Sequence, residues 1–413
     1  MTKWKQTSIG EFIDFNPTES IKKGTLATKV GMDKLGTFQR KINGSEKVEY
    51  NGGPKFRNTD TVVAKITPCL ENGKTAYVDI LEENEVAFGS SEFIVLRKNE
   101  CSDSKFIYYL ARSPLFREKA ISCMEGTSGR KRVNEGALKR QEILIPSSVT
   151  QQQKIASILS SLDDKIELNS KINDNLERMA KTLYDYWFVQ FDFPNENGKP
   201  YKSSGGKMIW NEILKREIPE GWEVKKIREI CSTGSGGTPK STEVNYYENG
   251  KIPWLNSGEL NKTFIISTTN FITELGMKNS SAKLFPSNII LMAMYGATAG
   301  KTSIVSFETT TNQAVCAIIP NDHLLFHYIK FSLDNMYRYL VNLSTGSARD
   351  NLSQDKIRDL NTIIPAERTI RDFSNTVIIL FNKIKNNHIQ NQQLSSLRDW
   401  LLPMLMNGQV KIE

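Results

Sequence analysis

The sequence carries the same plan twice, and this internal repeat constrains the fold more than any other feature. Trp4 opens the first copy and Trp222 opens the second, 218 residues later. An Ile-Pro pair closes each copy, at 145–146 and at 364–365, and a long amphipathic segment follows each pair. Such a chain can present two similar surfaces to a long ligand that also has two similar halves.

Length and charge fit two domains that meet an anionic partner. The 413 residues exceed one ordinary core and suit two domains of about 150 residues with connectors. A net charge of +8 and a pI near 9.0 favour nucleic acid over a membrane surface. Charge alone leaves a merely basic, soluble protein equally open.

The cysteines and the hydropathy indicate a soluble protein of a reducing compartment. Five scattered cysteines form no CxxC pair, so we expect neither a disulfide framework nor a zinc site, and no metal. No run of 18 apolar residues occurs, and the first residues have no apolar segment of the signal-peptide kind. We therefore expect a cytoplasmic protein without a membrane span.

The fold class that the pattern predicts is α+β, with two globular mixed α/β domains at residues 1–148 and 222–365. Strand-like runs occur in both, at 61–66, 92–97, 288–294 and 314–319. Residues 192–221 contain Pro, Gly, Asn and Ser at a density typical of a linker.

Residues 149–191 and 366–408 predict two long spacer helices, packed on each other as an antiparallel coiled coil with pseudo-two-fold symmetry. Asn169 and Asn387 occupy the same seam position and predict a buried polar site that fixes the register. Both seams then skip, which predicts a three-residue stammer, and Asp163 and Asp164 are expected on the solvated face. Two independent surface helices are the alternative. The predicted core residues are Ile155, Leu159, Leu162, Ile166, Asn169, Leu176, Leu183, Phe373, Val377, Leu380, Ile384, Asn387, Leu394 and Leu401.

Motifs for catalysis are weak. The segment from Gly296 to Thr302 resembles a phosphate-binding P-loop, but it has three residues between its glycines where the motif needs four, so ATP binding is not expected. Lys74 and Lys301 are instead expected on equivalent loops, as phosphate contacts or plain turn residues. His323 and His327 lack a carboxylate that would complete a metal signature, which favours a structural role. We expect no catalytic residue.

Polar, glycine-containing loops that recur in both copies suit contact with DNA instead. Arginine can read guanine with two hydrogen bonds, amides can pair with adenine, and glycines let a backbone approach phosphates. Each loop alone is a weak signal, because polar loops are usually solvated turns. The candidate DNA-binding residues are Lys65, Lys74, Ser128, Arg130, Lys131, Arg132, Thr238, Lys240, Tyr295, Lys301, Asn312, Gln313, Arg349 and Asn351.

At these residues the chain resembles a DNA specificity subunit of a type I restriction–modification system. The matching stretches include Tyr186-Trp-Phe-Val-Gln-Phe-Asp-Phe-Pro194 with the linker after it, Ile218-Pro-Glu-Gly-Trp222 and Tyr295-Gly-Ala-Thr-Ala-Gly-Lys301. Together with the repeat they span nearly the whole chain. In two places the chain departs from the family pattern: Ala366-Glu-Arg-Thr-Ile370 replaces a glutamine-containing helix start, and the first copy lacks the Tyr-Gly-Ala-Thr loop.

The resemblance implies two target-recognition domains, each reading one half of a split site in double-stranded DNA, held by spacer helices. It implies two DNA methyltransferase (modification) subunits and restriction motor–nuclease subunits as partners. Those partners would carry S-adenosylmethionine, ATP and Mg, with no cofactor in this chain. Two alternatives stay open: a specificity subunit of a bifunctional restriction–methylation enzyme of another type, and a stand-alone two-domain DNA-binding scaffold or repressor.

Overall fold

The computed structural model describes residues 4–127, 129–344 and 352–410. The chain divides into two compact units, Met1–Leu168 with Asn391–Glu413 (unit 1) and Asn169–Gln390 (unit 2). Within the described ranges, none of the helices combines the length and the apolar character that crossing a bilayer requires.

The first domain lies in unit 1 and is mixed α/β, as predicted. Its strands are β1 (Trp4–Ser8), β2 (Ile13–Phe15), β3 (Leu26–Val30), β4 (Glu46–Glu49), β5 (Lys55–Phe56), β6 (Thr61–Ala64), β7 (Thr75–Tyr77), β8 (Ala87–Gly89), β9 (Phe93–Lys98), β10 (Met124–Glu125), β11 (Arg132–Val133) and β12 (Glu142–Pro146). Its helices are α1 (Ile9–Phe12), α2 (Ser104–Arg112), α3 (Pro114–Ser122) and α4 (Glu135–Lys139).

The second domain lies in unit 2 and is also mixed α/β. The strands are β13 (Met208–Asn211), β14 (Arg216–Pro219), β15 (Glu223–Lys226), β16 (Cys231–Ser235), β17 (Ile252–Leu255), β18 (Phe264–Ile265), β19 (Phe271–Ile272), β20 (Ile289–Ala293), β21 (Thr302–Val305), β22 (Thr310–Thr311), β23 (Val315–Pro320) and β24 (Asn361–Ile364). The helices are α6 (Ile227–Ile230), α7 (Glu274–Lys278), α8 (Phe326–Asn335), α9 (Tyr337–Ser344) and α10 (Gln354–Arg358). The hairpin β13–β14 lies inside the segment predicted as linker.

Sheet topology repeats with the sequence. The main sheet of the first domain has the strand order β2-β9-β6-β7, and that of the second has β16-β23-β20-β21-β18. In each copy of the repeat, the first strand pairs antiparallel with the last. In the first copy β1 pairs with β12 and Trp4 faces Pro146, and in the second β15 pairs with β24 and Glu223 faces Ile364. The central strands β6 and β20 are buried along their whole length, as their β-branched and apolar residues predict.

Helix caps also recur in both copies. The side chain of Asn134 accepts a hydrogen bond from the Ala137 backbone at the start of α4, and Ser353 accepts one from Lys356 at the start of α10. Both residue types are favoured at this position because their side-chain oxygens satisfy an unpaired N–H of the first turn. In the first domain, Pro114 begins α3 directly after α2 ends, since proline fits the first turn but not a helix interior.

Two long helices follow the domains, as predicted. The proximal helix, α5, runs over Val149–Tyr184, and the distal helix, α11, runs over Glu367–Met406. In unit 1 the two pack antiparallel, with Asp163 opposite Arg398 and Ile166 opposite Asn391. In unit 2 they also pack antiparallel, with Asn169 opposite Gln390.

Buried asparagines line the helix seam. Asn169 and Asn387 are both buried; Asn169 donates to the Gln390 side chain at 2.7 Å, and Asn387 donates to Asn173 at 2.8 Å. A second pair recurs at the 218-residue offset: Asn173 donates to the Ile384 carbonyl at 3.4 Å in unit 2, and Asn391 donates to the Ile166 carbonyl at 3.2 Å in unit 1. These bonds fix the register of each helix pair.

The predicted stammer was wrong. Asn173 and Asn391 take the seam positions four residues after Asn169 and Asn387, so both seams continue without an insertion. The apolar pattern is interrupted there because an asparagine occupies the seam position in each helix. Of the predicted core residues, Ile155, Leu159, Asn169, Phe373, Val377, Ile384 and Asn387 are buried, whereas Leu162, Ile166, Leu176, Leu183, Leu380, Leu394 and Leu401 are half-buried.

The expected position of Asp163 on the solvated face was also wrong. Its side chain is buried, accepts a hydrogen bond from the Tyr109 hydroxyl, and pairs with Arg398, whose positive charge offsets the charge that burial would otherwise penalise. Asp164 is exposed and pairs with Arg40.

Candidate nucleic-acid interface

Three polar loops of the second domain meet at one end of its main sheet. One follows β16, one joins β20 to β21, and one precedes β23. Strand pairing brings them together, because Ser235 pairs with Cys316 and Ala293 pairs with Val315. The candidate residues that the structure places at this sheet end are Thr238, Lys240, Tyr295, Lys301, Asn312 and Gln313.

Backbone and side-chain hydrogen bonds hold two of these loops together. Gly237 donates to the Thr311 carbonyl at 2.8 Å, and the Trp254 indole donates to the Gly237 carbonyl at 3.0 Å. A Cβ on Gly236 would lie 1.9 Å from the Thr311 carbonyl oxygen, so only glycine fits there. The surface is therefore preorganised rather than a free loop.

The amides of this surface are oriented by neighbouring groups. The Thr238 hydroxyl donates to the Gln313 side-chain oxygen at 2.6 Å. The Asn312 side-chain oxygen accepts from the Ala314 backbone at 3.1 Å. Among the described residues neither side-chain NH₂ group has an acceptor, so both can donate to acceptors on base edges, such as guanine O6 or N7.

The loop between β20 and β21 does not form a P-loop. Gly296–Thr298 makes a single 3₁₀ turn and the next element is a strand, so no helix N-terminus faces a phosphate. Lys301 ends this loop exposed and, within the described residues, without an ion-pair partner, while Tyr295 is half-buried. Lys240 forms an exposed ion pair with Glu243 at 3.5 Å.

The first domain presents the equivalent sheet end. The Ala64 backbone donates to the Lys74 carbonyl, as the Ala293 backbone donates to the Lys301 carbonyl, both at 3.0 Å. The two lysines thus lie on equivalent loops, as predicted. Their side chains differ, since the Lys74 ammonium donates to the Met32 carbonyl at 2.9 Å and is partly buried.

The hairpin β10–β11 supplies the cations of this first surface. Its loop turns at Gly126 and Gly129, both at positive φ, and the Lys131 carbonyl accepts from the Thr67 backbone at 3.0 Å. Arg130 and Lys131 are exposed, and no carboxylate in the described part of the chain pairs with them. They are free to meet phosphates or bases.

Two other cations of this surface are bound to carboxylates. Arg132 donates three hydrogen bonds to the Glu92 carboxylate, at 3.1, 2.9 and 2.8 Å, and these lower the pKa of that carboxyl. Lys65 lies 3.7 Å from Glu135. A carboxylate partner reduces the charge that each cation can offer to a phosphate.

Three of the predicted residues, Ser128, Arg349 and Asn351, lie outside the described residues. Sequence reasoning missed Glu92, Glu135 and Trp254, which lie beside the predicted site and hold its cations and loops. The two carboxylates gave no sequence signal because they lie 40 and 70 residues from their partners. Within the described ranges, no group of three metal-ligating side chains occurs.

Comparison with known proteins places both copies in one family. A family model described as the type I restriction modification DNA specificity domain matches residues 1–178 and again residues 219–396. The MjaIX specificity subunit of a type I restriction enzyme from Methanocaldococcus jannaschii is 32% identical over 313 residues, covering 75% of this chain and 70% of the relative. The HindI specificity subunit from Haemophilus influenzae is 27% identical over 471 residues, covering 99% of this chain and 100% of the relative.

A solved structure shares the fold along the entire chain. The crystal structure of a type I restriction–modification S subunit from M. genitalium superposes with a TM-score of 0.60 at 18% identity, covering 100% of this chain and 97% of that chain. Two mixed domains, each followed by a long helix, are thus an architecture that this chain shares with a known S subunit.

Proposed function

Because this chain belongs to the type I restriction–modification DNA specificity family and is a specificity subunit that recognises DNA sequence, we propose that each domain reads one half of a bipartite target. The observation that supports this proposal most directly is that the equivalent end of the main sheet presents polar loops in both domains. Among the described residues, the cations there without an ion-pair partner are Arg130 and Lys131 in the first domain and Lys301 in the second. Two surfaces at equivalent sheet ends suit two separated half-sites on one duplex.

The two surfaces differ in chemistry, which supports different half-sites. The first domain offers arginine and lysine on a glycine-flanked hairpin, whereas the second offers the amides of Asn312 and Gln313 beside Thr238. Arginine favours guanine, and oriented amide donors favour base acceptors in the major groove. An asymmetric bipartite target follows from this difference.

We propose that the chain is non-catalytic and works in the cytoplasm with two DNA methyltransferase subunits and with motor–nuclease subunits. In this proposal S-adenosylmethionine, ATP and Mg belong to those partners. Exposed apolar side chains support two docking positions, since Met179 of the proximal helix and Leu397 of the distal helix recur at the 218-residue offset. Equivalent positions on two antiparallel helices suit two copies of one partner.

A map of methylated adenine in the genome tests this proposal. We expect a bipartite motif with a fixed unspecified gap that disappears when the gene is deleted and returns when it is restored. An unchanged map in cells that express the methyltransferase genes, or a continuous short motif, would contradict the proposal.

A further inference from the structure

A buried charge cluster lies in unit 1, where the two long helices meet the first domain. Arg398 of the distal helix donates to Asp163 of the proximal helix at 2.5 Å, with side chains only 7% and 4% exposed. The Tyr109 hydroxyl of α2 donates to the other Asp163 oxygen at 2.7 Å. In this unit the first copy of the repeat therefore contacts the second through a paired, hydrogen-bonded charge.

A second ion pair in unit 1 joins the same two copies. Arg112, at the end of α2, donates to Asp399 of the distal helix at 2.8 Å, and the Arg112 side chain is 2% exposed. Arg398 also donates to Asp399, at 3.0 Å. The distal helix thus provides a cation, Arg398, and an anion, Asp399. The first copy provides a partner of opposite charge for each, Asp163 and Arg112.

Unit 2 carries apolar residues at the positions of the first pair. At the 218-residue offset, Asp163 corresponds to Phe381 and Arg398 corresponds to Ala180, and both of these are buried. Phe331 of α8 contacts Phe381 with ring centroids 5.6 Å apart, as Tyr109 of α2 contacts Asp163. The Asp163–Arg398 pair is therefore specific to unit 1 and is not a property of the repeat.

At the positions of the second pair, unit 2 carries opposite charges. Asp399 corresponds to Lys181 at the same offset. Strand β9 and the start of α2 match β23 and the start of α8 at an offset of 222 residues, at which Tyr109 corresponds to Phe331 and Arg112 to Asp334. Lys181 and Asp334 line one cavity in unit 2. Each of the two also pairs within its own chain segment, Lys181 with Asp185 and Asp334 with Lys330, so unit 2 reverses the signs of the second pair without repeating its direct contact.

We propose that these charges make the pairing of the two copies selective, so that the first copy accepts the second copy and neither accepts another of its own kind. Two first copies would place Asp163 opposite Ala180 and Arg112 beside Lys181. Two second copies would place Arg398 opposite Phe381 and Asp334 beside Asp399. Each like pairing removes the opposite charge that Asp163 or Arg398 faces on the other long helix and brings like charges together, both of which are unfavourable.

The partner that this surface fits is the other half of the same chain. Selectivity of this kind keeps chains from pairing through like copies, which would join two identical domains and leave the second domain of each chain unmatched. These contacts lie inside each unit and do not depend on what the domains bind.

The test begins with the intact chain carrying a protease site between Ser204 and Gly205, both exposed in a turn. The folded protein is cut, unfolded in urea and refolded, and native mass spectrometry counts the three possible pairs. We expect nearly all pairs to join unlike copies. Random pairing, with about half of the pairs unlike, would overturn the proposal.

A single charge reversal should favour one kind of like pair over the other. Asp399→Lys places a cation beside Arg112 in the unlike pair and a cation beside Asp334 in the pair of two second copies. We expect pairs of two second copies to rise at least several-fold in the cut and refolded protein. The matched control is Asp372→Lys, an exposed position on the same helix, which should leave pairing unchanged. Equal pair counts for the two variants would overturn the proposal.

A symmetrised variant completes the test. It replaces the unit 1 residues by those of unit 2: Tyr109→Phe, Arg112→Asp, Asp163→Phe, Arg398→Ala and Asp399→Lys. With the residues of both pairs made the same in the two units, we expect about half of the refolded pairs to be unlike. Unlike pairs alone from this variant would assign selectivity to other residues and overturn the proposal.

Discussion

At the level of single side chains, the two sheet ends differ in which cations are free. Arg130, Lys131 and Lys301 have no ion-pair partner within the described residues, whereas Arg132 and Lys65 face Glu92 and Glu135. A free cation can contact DNA without first breaking an ion pair, so the free residues should carry more of the binding.

We predict that Arg130→Ala weakens recognition of one half-site only. If Arg130 contacts a base, the loss should be about 1–3 kcal/mol with relaxed preference at one position; a phosphate contact would weaken binding to all sequences alike. Binding of the assembled complex to targets substituted in one half or the other distinguishes these results.

The control for this variant is Arg368→Ala, which removes the same charge from an exposed position on the distal helix. It should leave both half-sites unaffected. Equal losses for the two variants would mean that Arg130 acts only through net charge.

His327 predicts a pH dependence of stability. Burial lowers the pKa of His327 to about 4 from its ordinary 6.5, and its ring packs edge-on against Phe381 at 4.7 Å. Between these two values the unfolded chain binds the proton and the folded chain does not, so stability falls as the pH falls. From pH 7 to pH 5 this residue should reduce the free energy of unfolding by about 2 kcal/mol.

Urea unfolding at both pH values measures this effect. His327→Phe should lose this part of the pH dependence, because phenylalanine fills the apolar site without titrating. His323→Phe, at an exposed position, should retain it. The same pH dependence in both variants would assign the effect to other groups.

At the level of elements, the amphipathic pattern predicted both long helices and their antiparallel pairing. It could not predict that Asp163 lies in the core, because a helical carboxylate is usually solvated and its partner Arg398 lies 235 residues away. The seam at Asn173 and Asn391 was missed although the signal was present, since both asparagines recur at the 218-residue offset.

A matched lengthening of both helices tests their role as spacers. One heptad inserted after Leu168 and one after Gln390 keeps the pairs Asn169–Gln390 and Ile166–Asn391 intact inside their own units. Each heptad adds about 10.5 Å. At about 3.4 Å per base pair, the gap in the recognised sequence should lengthen by about three base pairs.

Insertion into one helix alone is the control, because it shifts one side of the seam and should prevent assembly. An unchanged gap with normal methylation in the matched variant would show that helix length does not set the spacing.

At the scale of the whole molecule, the repeat predicted two domains of similar topology, and the apolar runs at 61–66 and 288–294 predicted their central strands, which span Thr61–Ala64 and Ile289–Ala293. The binding residues were harder to predict, because a loop cation looks the same in sequence whether it is free, as Arg130 is, or bound to a distant carboxylate, as Arg132 is. Such pairs form only in three dimensions.

The central claim is that each domain reads its own half of the target. The most direct measurement maps methylated adenine in cells whose only copy of this gene carries residues 4–146 exchanged for the corresponding domain of the Haemophilus influenzae relative. We predict that one half of the motif changes while the other half and the gap stay the same, and that exchanging residues 222–365 gives the reciprocal result. A motif in which both halves change, or neither, would contradict the account.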